Sequence, residues 1–156
     1  MKTTRATHLL MKKGISHRVV PYEYDANATR IGEHAAQSIG VAPGKLLKCL
    51  MVDVTGKPCC ALIPSDRELS MKAVARVMDG KKAEMLSVED AERITGYKVG
   101  GISPFAQRKR VPVFIEESAM AQETVFINAG QRGFQIEISP QAAAKVLDAR
   151  NLAMLK

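Results

Sequence analysis

The sequence is poor in residues that stack on nucleic-acid bases, and it has no segment that could cross a membrane. It contains no tryptophan, and aromatic residues make up 4% of its 156 positions. Because stacking platforms are scarce, a nucleic-acid partner would be recognised through its backbone or a defined end. The longest apolar runs have the length of a strand, which excludes a membrane-spanning helix. The N-terminal MKTTRATHLLMKK lacks the apolar stretch of a secretory signal, so we expect a cytoplasmic location.

Cysteines and histidines are few and poorly placed for disulfides or metal. Cys49, Cys59 and Cys60 are an odd number, and two of them are adjacent. This arrangement does not resemble a disulfide framework, and adjacent cysteines on a strand would point to opposite faces. We predict buried, free thiols. The three histidines are scattered, and no Cys-x-x-Cys or His-x-x-x-His spacing occurs, so we predict no metal site and no cofactor.

Positive charge is the one global property that points to a partner. The chain has 23 lysines and arginines against 16 aspartates and glutamates, a formal net charge of +7. This excess favours a polyanionic partner whose association depends on salt. Basic proteins without such a partner are common, so charge alone does not identify the function.

Length and periodicity predict one α/β domain covering residues 1–156. A chain of this length buries a core without disulfides. Strand-like and helical segments alternate irregularly, which predicts a mixed and strongly curved sheet. Pro21 lies within the first strand and indicates an edge strand or a bulge. The predicted helices span residues 4–13, 32–38, 71–78 and 87–94, with a closing helix from Ser139-Pro140, and the predicted strands span residues 17–24, 47–54, 59–63, 81–86, 111–115, 123–128 and 133–138.

A lysine interrupts the most apolar strand. Within residues 47–54, Lys48 shares a face with Leu50, Val52 and Val54, whereas Cys49 lies on the opposite face. The lysine either extends to solvent at the end of the strand or carries its ammonium into a cleft. The strand pattern alone leaves both possibilities open.

The segment TGYKVGGISPFAQRKR, residues 95–110, combines a glycine pair, a rigid step and a run of cations. Gly100 and Gly101 can adopt positive φ and bring bare backbone close to a ligand. The Ser103-Pro104 step restrains the loop. The following cations adjoin exposed amides, which suits an anionic or carbonyl-bearing ligand. An ordinary turn followed by a solvated charged run is the alternative. The cations are Arg108, Lys109 and Arg110.

Five short stretches, in this order along the chain, resemble one family. They are Gly14-Ile15-Ser16, Tyr22-Glu23, Leu47-Lys48-Cys49-Leu50, the string from Thr95-Gly96-Tyr97 through Gly100-Gly101-Ile102-Ser103-Pro104, and Gly130-Gln131-Arg132-Gly133. The series is similar to the bacterial Cys-tRNA(Pro) deacylases of the YbaK type. These are free-standing relatives of the editing domain inserted in prolyl-tRNA synthetase. The likeness runs from about residue 9 to residue 147, and its most specific part is TGY-x-VGGISP.

The resemblance implies an enzyme that removes cysteine from mischarged Cys-tRNA(Pro), and in some relatives from Cys-tRNA(Cys). It implies a six- or seven-stranded mixed sheet, partly closed like a barrel and wrapped by helices. It also implies two partners, the acceptor end of an aminoacylated tRNA and, in a transient complex, prolyl-tRNA synthetase. Lys48 would be the functional lysine. The pocket around the aminoacyl ester would be shaped by Tyr22 and by the loop of Gly100, Gly101, Ile102, Ser103 and Pro104. In this loop Ser103 could also bond the substrate directly.

A mechanism without a protein nucleophile follows from the same resemblance. No Ser-His-Asp arrangement and no G-x-S-x-G elbow is evident in the sequence. In the family, the cysteine thiol of the substrate attacks its own ester carbonyl and leaves as a thiolactone. Gly100 and Gly101 would offer N–H groups to the oxyanion, and Lys48 would supply positive charge. The acceptor-stem phosphates would meet Arg108, Lys109, Arg110 and Arg132.

Two positions depart from the family, and two other functions remain compatible with the residues. Cys49 stands where many relatives have threonine. Since it faces away from Lys48, we expect a change in packing and not a nucleophile. Gln135 stands where some relatives have an acidic residue, so no carboxylate role carries over. A deacylase for Ala-tRNA(Pro) would use water, because alanine has no thiol, and a non-catalytic aminoacyl-tRNA binding module is the alternative from another class.

Overall fold

The computed structural model describes residues 3–156, which form one mixed sheet flanked by helices. The strands are β1 (Arg18–Pro21), β2 (Leu46–Val54), β3 (Lys57–Pro64), β4 (Ala83–Met85), β5 (Val113–Glu116), β6 (Val125–Asn128), β7 (Phe134–Ile138) and β8 (Arg150–Leu152). The helices are α1 (Arg5–Lys12), α2 (Ile31–Ile39), α3 (Met71–Val77), α4 (Val88–Thr95) and α5 (Pro140–Leu147), with short 3-10 turns at Pro43–Lys45 and Glu117–Ala121.

The predicted α/β class with a mixed sheet is confirmed, and the sheet has eight strands. Its strands follow the order β1-β7-β6-β2-β3-β5-β8, and β4 pairs with β2 beside this series. β2 pairs antiparallel with β3, whereas β2 with β6, β3 with β5 and β5 with β8 are parallel. Six or seven strands were expected, and the additional strand is β8, an edge strand of three residues. The strand that contains Pro21 lies at the other edge, as its proline indicates.

Side-chain caps begin the helices close to the predicted residues. Thr4, Ser70, Ser87 and Ser139 each accept a hydrogen bond from a backbone N–H in the first turn of the following helix. Left-handed glycines, Gly40 and Gly96, end α2 and α4. The sequence therefore defines these helix boundaries locally.

Two apolar clusters lie on opposite faces of β2 and β3, which confirms the predicted strand parity. Leu47, Met51 and Cys60 belong to the larger cluster, and Cys49 packs against it. The alternate residues of β2, including Val52, join Cys59 in a second cluster against α3. The two adjacent cysteines therefore point to opposite faces, and all three cysteines are free.

One edge of β2 is open in the middle of the strand. β3 pairs with β2 along the whole of its other edge, from Leu47 to Val54. On the edge in question, β6 pairs only with Leu46 and Leu47, and β4 pairs only from Val52 onward. Residues 48–51 thus have no strand partner on this edge within the described part of the chain. This interruption, which we call the β2 gap, positions the site.

Candidate active site

A cavity of about 740 Å³ lies over the β2 gap. Six consecutive residues of β2, positions 46–51, line it. Because side chains alternate between the faces of a strand, a cavity reaches consecutive residues only when it runs along the edge. The other walls come from α2, the start of α4, the glycine loop and the β6–β7 pair. Among their lining residues are Tyr22, Arg30, Gly32, Leu86, Ala91, Gly100, Ile102, Asn128 and Gln135.

Lys48 is a half-buried residue in this cavity. Within residues 3–156 no carboxylate lies within 4.0 Å of its ammonium, although seven other lysine or arginine side chains have such a partner. A partly desolvated cation is costly to hold without a counter-charge. Because Lys48 lines the cavity, an anionic group of a ligand bound there would supply the missing counter-charge.

The two glycines of the predicted loop have different environments. Gly100 lines the cavity with φ +90°, and its N–H has no hydrogen-bond partner among the described residues. A Cβ at this position would lie 2.5 Å from the Tyr24 hydroxyl. The Gly101 N–H instead donates to the Lys98 carbonyl at 2.8 Å, and Gly101 does not line the cavity. Of the two glycine N–H groups, that of Gly100 is therefore the one available to a ligand.

The rest of the TGY-x-VGGISP string holds this loop in place. Ser103 is fully buried, and its hydroxyl accepts from the Phe105 N–H at 3.2 Å. The Tyr97 hydroxyl donates to the Phe105 carbonyl at 2.5 Å. Ile102 lines the cavity, but Ser103 and Pro104 do not. Ser103 thus shapes the loop from behind, and a direct bond from it to a ligand would need the loop to move.

Asn128 fastens the glycine loop to the β6–β7 turn. Its side-chain N–H donates to the Gly100 carbonyl at 3.0 Å, and its oxygen accepts from the Gly130 N–H at 2.8 Å. The sequence analysis did not identify this residue. The sequence feature that could have identified Asn128 is its position at the end of a strand, two residues before a glycine turn.

Tyr22 and Gln135 form a polar part of the cavity wall. Burial raises the pKa of Tyr22, so its hydroxyl remains a neutral donor. Gln135 is 3% exposed, and its side-chain oxygen has no hydrogen-bond partner among residues 3–156. Buried amide oxygens are nearly always hydrogen-bonded, so this acceptor is suited to a donor from a ligand.

The predicted phosphate-binding cations do not gather at the cavity. Arg132 donates from Nε to the Val99 carbonyl at 2.8 Å and lies 5.3 Å from the Tyr24 ring centre, so it braces the glycine loop. Arg110 lies 3.9 Å from Asp148, and both are exposed. Arg110 lines a separate cavity of about 370 Å³, and neither Arg108 nor Lys109 lines the large one.

Two arginines that the sequence analysis did not select, Arg30 and Arg67, lie at the large cavity. Arg30 is 3.2 Å from Glu33 and is therefore partly neutralised. Arg30 has no charged neighbour in the sequence and Arg67 stands between Asp66 and Glu68, so no run of positive charge marked either of them.

Cys49 lines the cavity, and its side chain packs against the larger apolar cluster. Lys48 lies on the opposite face of β2, with the second cluster. Its sulfur lies 3.3 Å from that of Cys60. The hydrogen bond with Cys49 and burial raise the pKa of Cys60. In residues 3–156 the only side-chain partner of the Cys49 sulfur is Cys60, which is not a base. This is consistent with the expectation that Cys49 is not a nucleophile, which stays a prediction.

Other classes of site find no support in residues 3–156. No group of three or more histidine, cysteine, aspartate or glutamate side chains could hold a metal ion there. Likewise, no helix in this part of the chain has the length and apolar character needed to span a bilayer.

Comparison with known proteins decides the family. A family model described as "Aminoacyl-tRNA editing domain" matches residues 26–146. The chain belongs to this family. The matched region contains the β2 gap, the glycine loop and the β6–β7 turn, so every wall of the cavity except Tyr22 comes from the editing domain as the model defines it.

Individual relatives agree with this editing-domain assignment. The chain is 35% identical over 147 residues to "Putative Cys-tRNA(Pro)/Cys-tRNA(Cys) deacylase EbsC" of Enterococcus faecalis, covering 90% of this chain and 88% of the relative. It is 30% identical over 101 residues to a proline–tRNA ligase of Maridesulfovibrio salexigens, covering 65% of this chain and 17% of the ligase. A crystal structure of "a putative trans-editing enzyme for prolyl tRNA synthetase" shares the fold with a TM-score of 0.86 at 20% identity, covering 97% and 95% of the two chains.

Proposed function

We propose that this editing-domain protein is a trans-acting deacylase that removes cysteine from Cys-tRNA(Pro), with Cys-tRNA(Cys) as a possible second substrate. The relative named for this activity matches over nearly its whole length. The synthetase matches over 17% of its length, which is consistent with a shared editing domain. The match to the free-standing relative therefore supports action in trans.

The observation that carries the proposal is that Lys48 and the Gly100 backbone line the same cavity. The ammonium has no carboxylate within 4.0 Å in residues 3–156, and the Gly100 N–H has no described partner. A fixed cation and a free backbone donor are the groups that stabilise an oxyanion as it forms. Lys48 lies in the β2 gap, and Gly100 lines the cavity over that gap.

The substrate supplies the nucleophile in the proposed reaction. The cysteinyl thiol attacks the ester carbonyl, a C–S bond forms, and the bond from the carbonyl carbon to the ribose oxygen breaks. The thiol proton passes to the departing ribose oxygen, and the products are a thiolactone and free tRNA. Intramolecular geometry can contribute about 7–11 kcal/mol to such a step, although a four-membered ring recovers only part of it.

The size of the cavity supports a ligand larger than the aminoacyl group. Its volume of about 740 Å³ is in the usual range for sites that enclose a small molecule. The acceptor end of tRNA would bring the terminal ribose and adenine to the same cavity. The exposed Arg108 and Lys109 are then available to phosphates farther along the acceptor stem, with Arg110 and Arg132 in lesser roles. Prolyl-tRNA synthetase is the partner proposed for a transient complex in the cytoplasm.

Deacylation of Cys-tRNA(Pro) and Ala-tRNA(Pro) by the wild type and by Lys48→Ala tests the proposal. We expect loss of the cysteinyl ester only, with release of thiolactone, and a fall of about 10²-fold or more in Lys48→Ala. Equal loss of the alanyl ester would replace the substrate thiol with water as the nucleophile. Tight tRNA binding without cleavage of either ester would identify a binding module and reject the enzyme.

A further inference from the structure

We infer that the open edge of β2 binds the aminoacyl group through the main chain of Cys49, as if that group were a strand one residue long. The inference rests on the proposed function and adds to it a positioning element. It depends on strand pairing and not on the identity of any side chain at the site.

Hydrogen bonds on either side of the β2 gap fix the direction of the Cys49 main chain. The Met51 carbonyl accepts from the Leu86 N–H at 3.0 Å on the edge that carries β4. The Leu46 carbonyl accepts from the Ser65 N–H at 2.8 Å on the β3 edge. Successive residues of a strand direct their N–H and C=O groups to opposite edges. Cys49 has the parity of Met51, so its N–H and C=O both point into the gap.

Neither main-chain group of Cys49 has a partner on that edge in residues 3–156. The β6 register ends at Leu47, and the β4 register begins at Val52. Cys49 is partly buried and lines the cavity, so these groups lie in a recess and not on an open surface. Partly buried backbone groups are almost always hydrogen-bonded in proteins, to a ligand or to water where no protein partner exists.

An aminoacyl ester carries the two groups that such an edge requires. Its α-ammonium is a donor and its ester carbonyl is an acceptor, and one carbon joins them as in a residue of a chain. Two residues directly opposite each other in an antiparallel pair exchange both of their backbone hydrogen bonds. The Cys49 carbonyl would accept from the α-ammonium while the Cys49 N–H donates to the ester carbonyl.

This pairing also places the rest of the substrate. Side chains of opposed residues lie on the same face of a sheet, so the aminoacyl side chain would lie on the Cys49 face. That face holds Met51, Leu86 and Ile102, which gives a compact apolar recess. In the antiparallel sense the ester oxygen and ribose continue toward Lys48. The Cys49 N–H then joins the Gly100 N–H as a donor to the oxyanion.

Amide hydrogen exchange in the whole protein tests the inference without any substitution. The probe is 3′-cysteinylamino-3′-deoxyadenosine, a stable amide analogue of the charged tRNA end. In the free protein we expect the Cys49 amide to exchange at least tenfold faster than the Leu50 amide, which faces β3. Saturating probe should slow exchange at Cys49 at least tenfold and leave Leu50 unchanged. Equal protection at the two positions in the free protein, or bound probe without protection at Cys49, would overturn the inference.

A comparison of Cys49→Pro with Cys49→Ala provides the kinetic counterpart. Proline removes an N–H that no strand uses, while alanine keeps it and removes the same thiol. We expect kcat/KM for Cys-tRNA(Pro) to be at least tenfold lower in Cys49→Pro than in Cys49→Ala at similar melting temperatures. Equal kcat/KM in the two variants would overturn the inference. A wild-type enzyme that does not cleave Cys-tRNA(Pro), yet shows the exchange pattern with the probe, would reject only the proposed function.

Discussion

Lys48 in β2 and Glu116 at the end of β5 are both charged residues in largely apolar strands, but their surroundings differ. Glu116 is 3% exposed, and its two carboxylate oxygens accept from the Met154 N–H at 2.9 Å and the Ser118 N–H at 2.8 Å. Burial alone would raise its pKa, but these hydrogen bonds outweigh burial and lower the pKa of Glu116 below its usual range. The carboxylate therefore ties the C-terminal segment to the sheet.

The region around Lys48 has the opposite character. The Lys48 ammonium has no carboxylate partner, the Gln135 side-chain oxygen has no donor, and the Cys49 main chain faces an empty edge, all within the described residues. Buried charged groups that stabilise a fold have hydrogen-bond or ion-pair partners within the protein, whereas groups that bind a ligand are left without such partners until the ligand is bound. The contrast predicts that substitutions near Lys48 affect activity and that substitutions near Glu116 affect stability.

The largest expected effect is on activity, from Lys48→Met. Methionine keeps the length of the side chain and removes its charge. We expect deacylation to fall by about 10²–10³-fold, as when an oxyanion donor is removed. The free energy of unfolding should stay within about 0.5 kcal/mol of the wild type, because no ion pair is lost. Single-turnover deacylation and urea unfolding measure the two quantities. If Lys48→Met lowered the free energy of unfolding by as much as it raised the activation free energy of deacylation, Lys48 would be a structural residue.

Glu116→Gln should have the reverse pattern. The amide replaces one accepting oxygen with a donor that faces another N–H, and a buried group is left unsatisfied. We expect a loss of about 2 kcal/mol in the free energy of unfolding. Activity should be unchanged at temperatures where the variant is folded. Glu117→Gln is the matched control, since Glu117 is exposed and adjacent. Similar stability in the two variants would contradict the assigned role of Glu116.

Acid should abolish the difference between the wild type and Glu116→Gln. The folded pKa of Glu116 lies below the unfolded value, so the carboxylate stabilises the fold above the ordinary glutamate pKa of about 4.3. This stabilisation is lost as the pH falls through the lower, folded pKa. Urea unfolding of both proteins across an acid series should show the two free energies converging. If the difference in free energy of unfolding between the two proteins stayed constant across the acid series, the stabilisation by Glu116 would not depend on its ionisation.

Gly100→Ala should lower activity with a smaller loss than Lys48→Met. The backbone at Gly100 has φ +90°, and an added Cβ would lie 2.5 Å from the Tyr24 hydroxyl, so the loop or the ring must move. We expect kcat/KM to fall about tenfold, because small displacements of a positioning group are costly. Gly56→Ala is the matched control, with φ +87° and no atom within 4 Å of the added Cβ. Equal activity losses in the two variants would show that backbone strain alone is responsible.

The sequence predicted the face on which each β2 side chain lies, because parity along a strand is a local property. It also predicted the helix starts at Ser87 and Ser139, where a side chain caps its own helix. It did not predict the β2 gap. The gap exists because β6 and β4, which are about 40 residues apart in the sequence, reach β2 at different heights. Periodicity determines a face but gives no information about which strand covers an edge.

The same limit explains the site residues that were missed. Asn128, Arg30 and Arg67 belong to no motif and are far apart in the sequence, and only the fold brings them to one cavity. Ser103 was predicted to bind substrate, but its hydroxyl accepts from the Phe105 N–H behind the loop, a contact that local patterns do not reveal. The motif located the glycine loop, but the free N–H of Gly100 and the bonded N–H of Gly101 became distinguishable only from hydrogen bonds.

The smallest expected effect comes from the exposed cations, which belong to neither region of the comparison. Lys109 has no ion pair within the described residues, so its ammonium is free to meet a phosphate. We expect Lys109→Ala to lower kcat/KM about threefold at low salt and to reduce the salt dependence by about one released ion. Arg110→Ala is the control, with an expected change below about twofold because Asp148 already lies 3.9 Å from Arg110. A loss in Lys109→Ala that persists at high salt would show that the lysine acts on the fold and not on the phosphates, and the tRNA would then be held through the cavity alone.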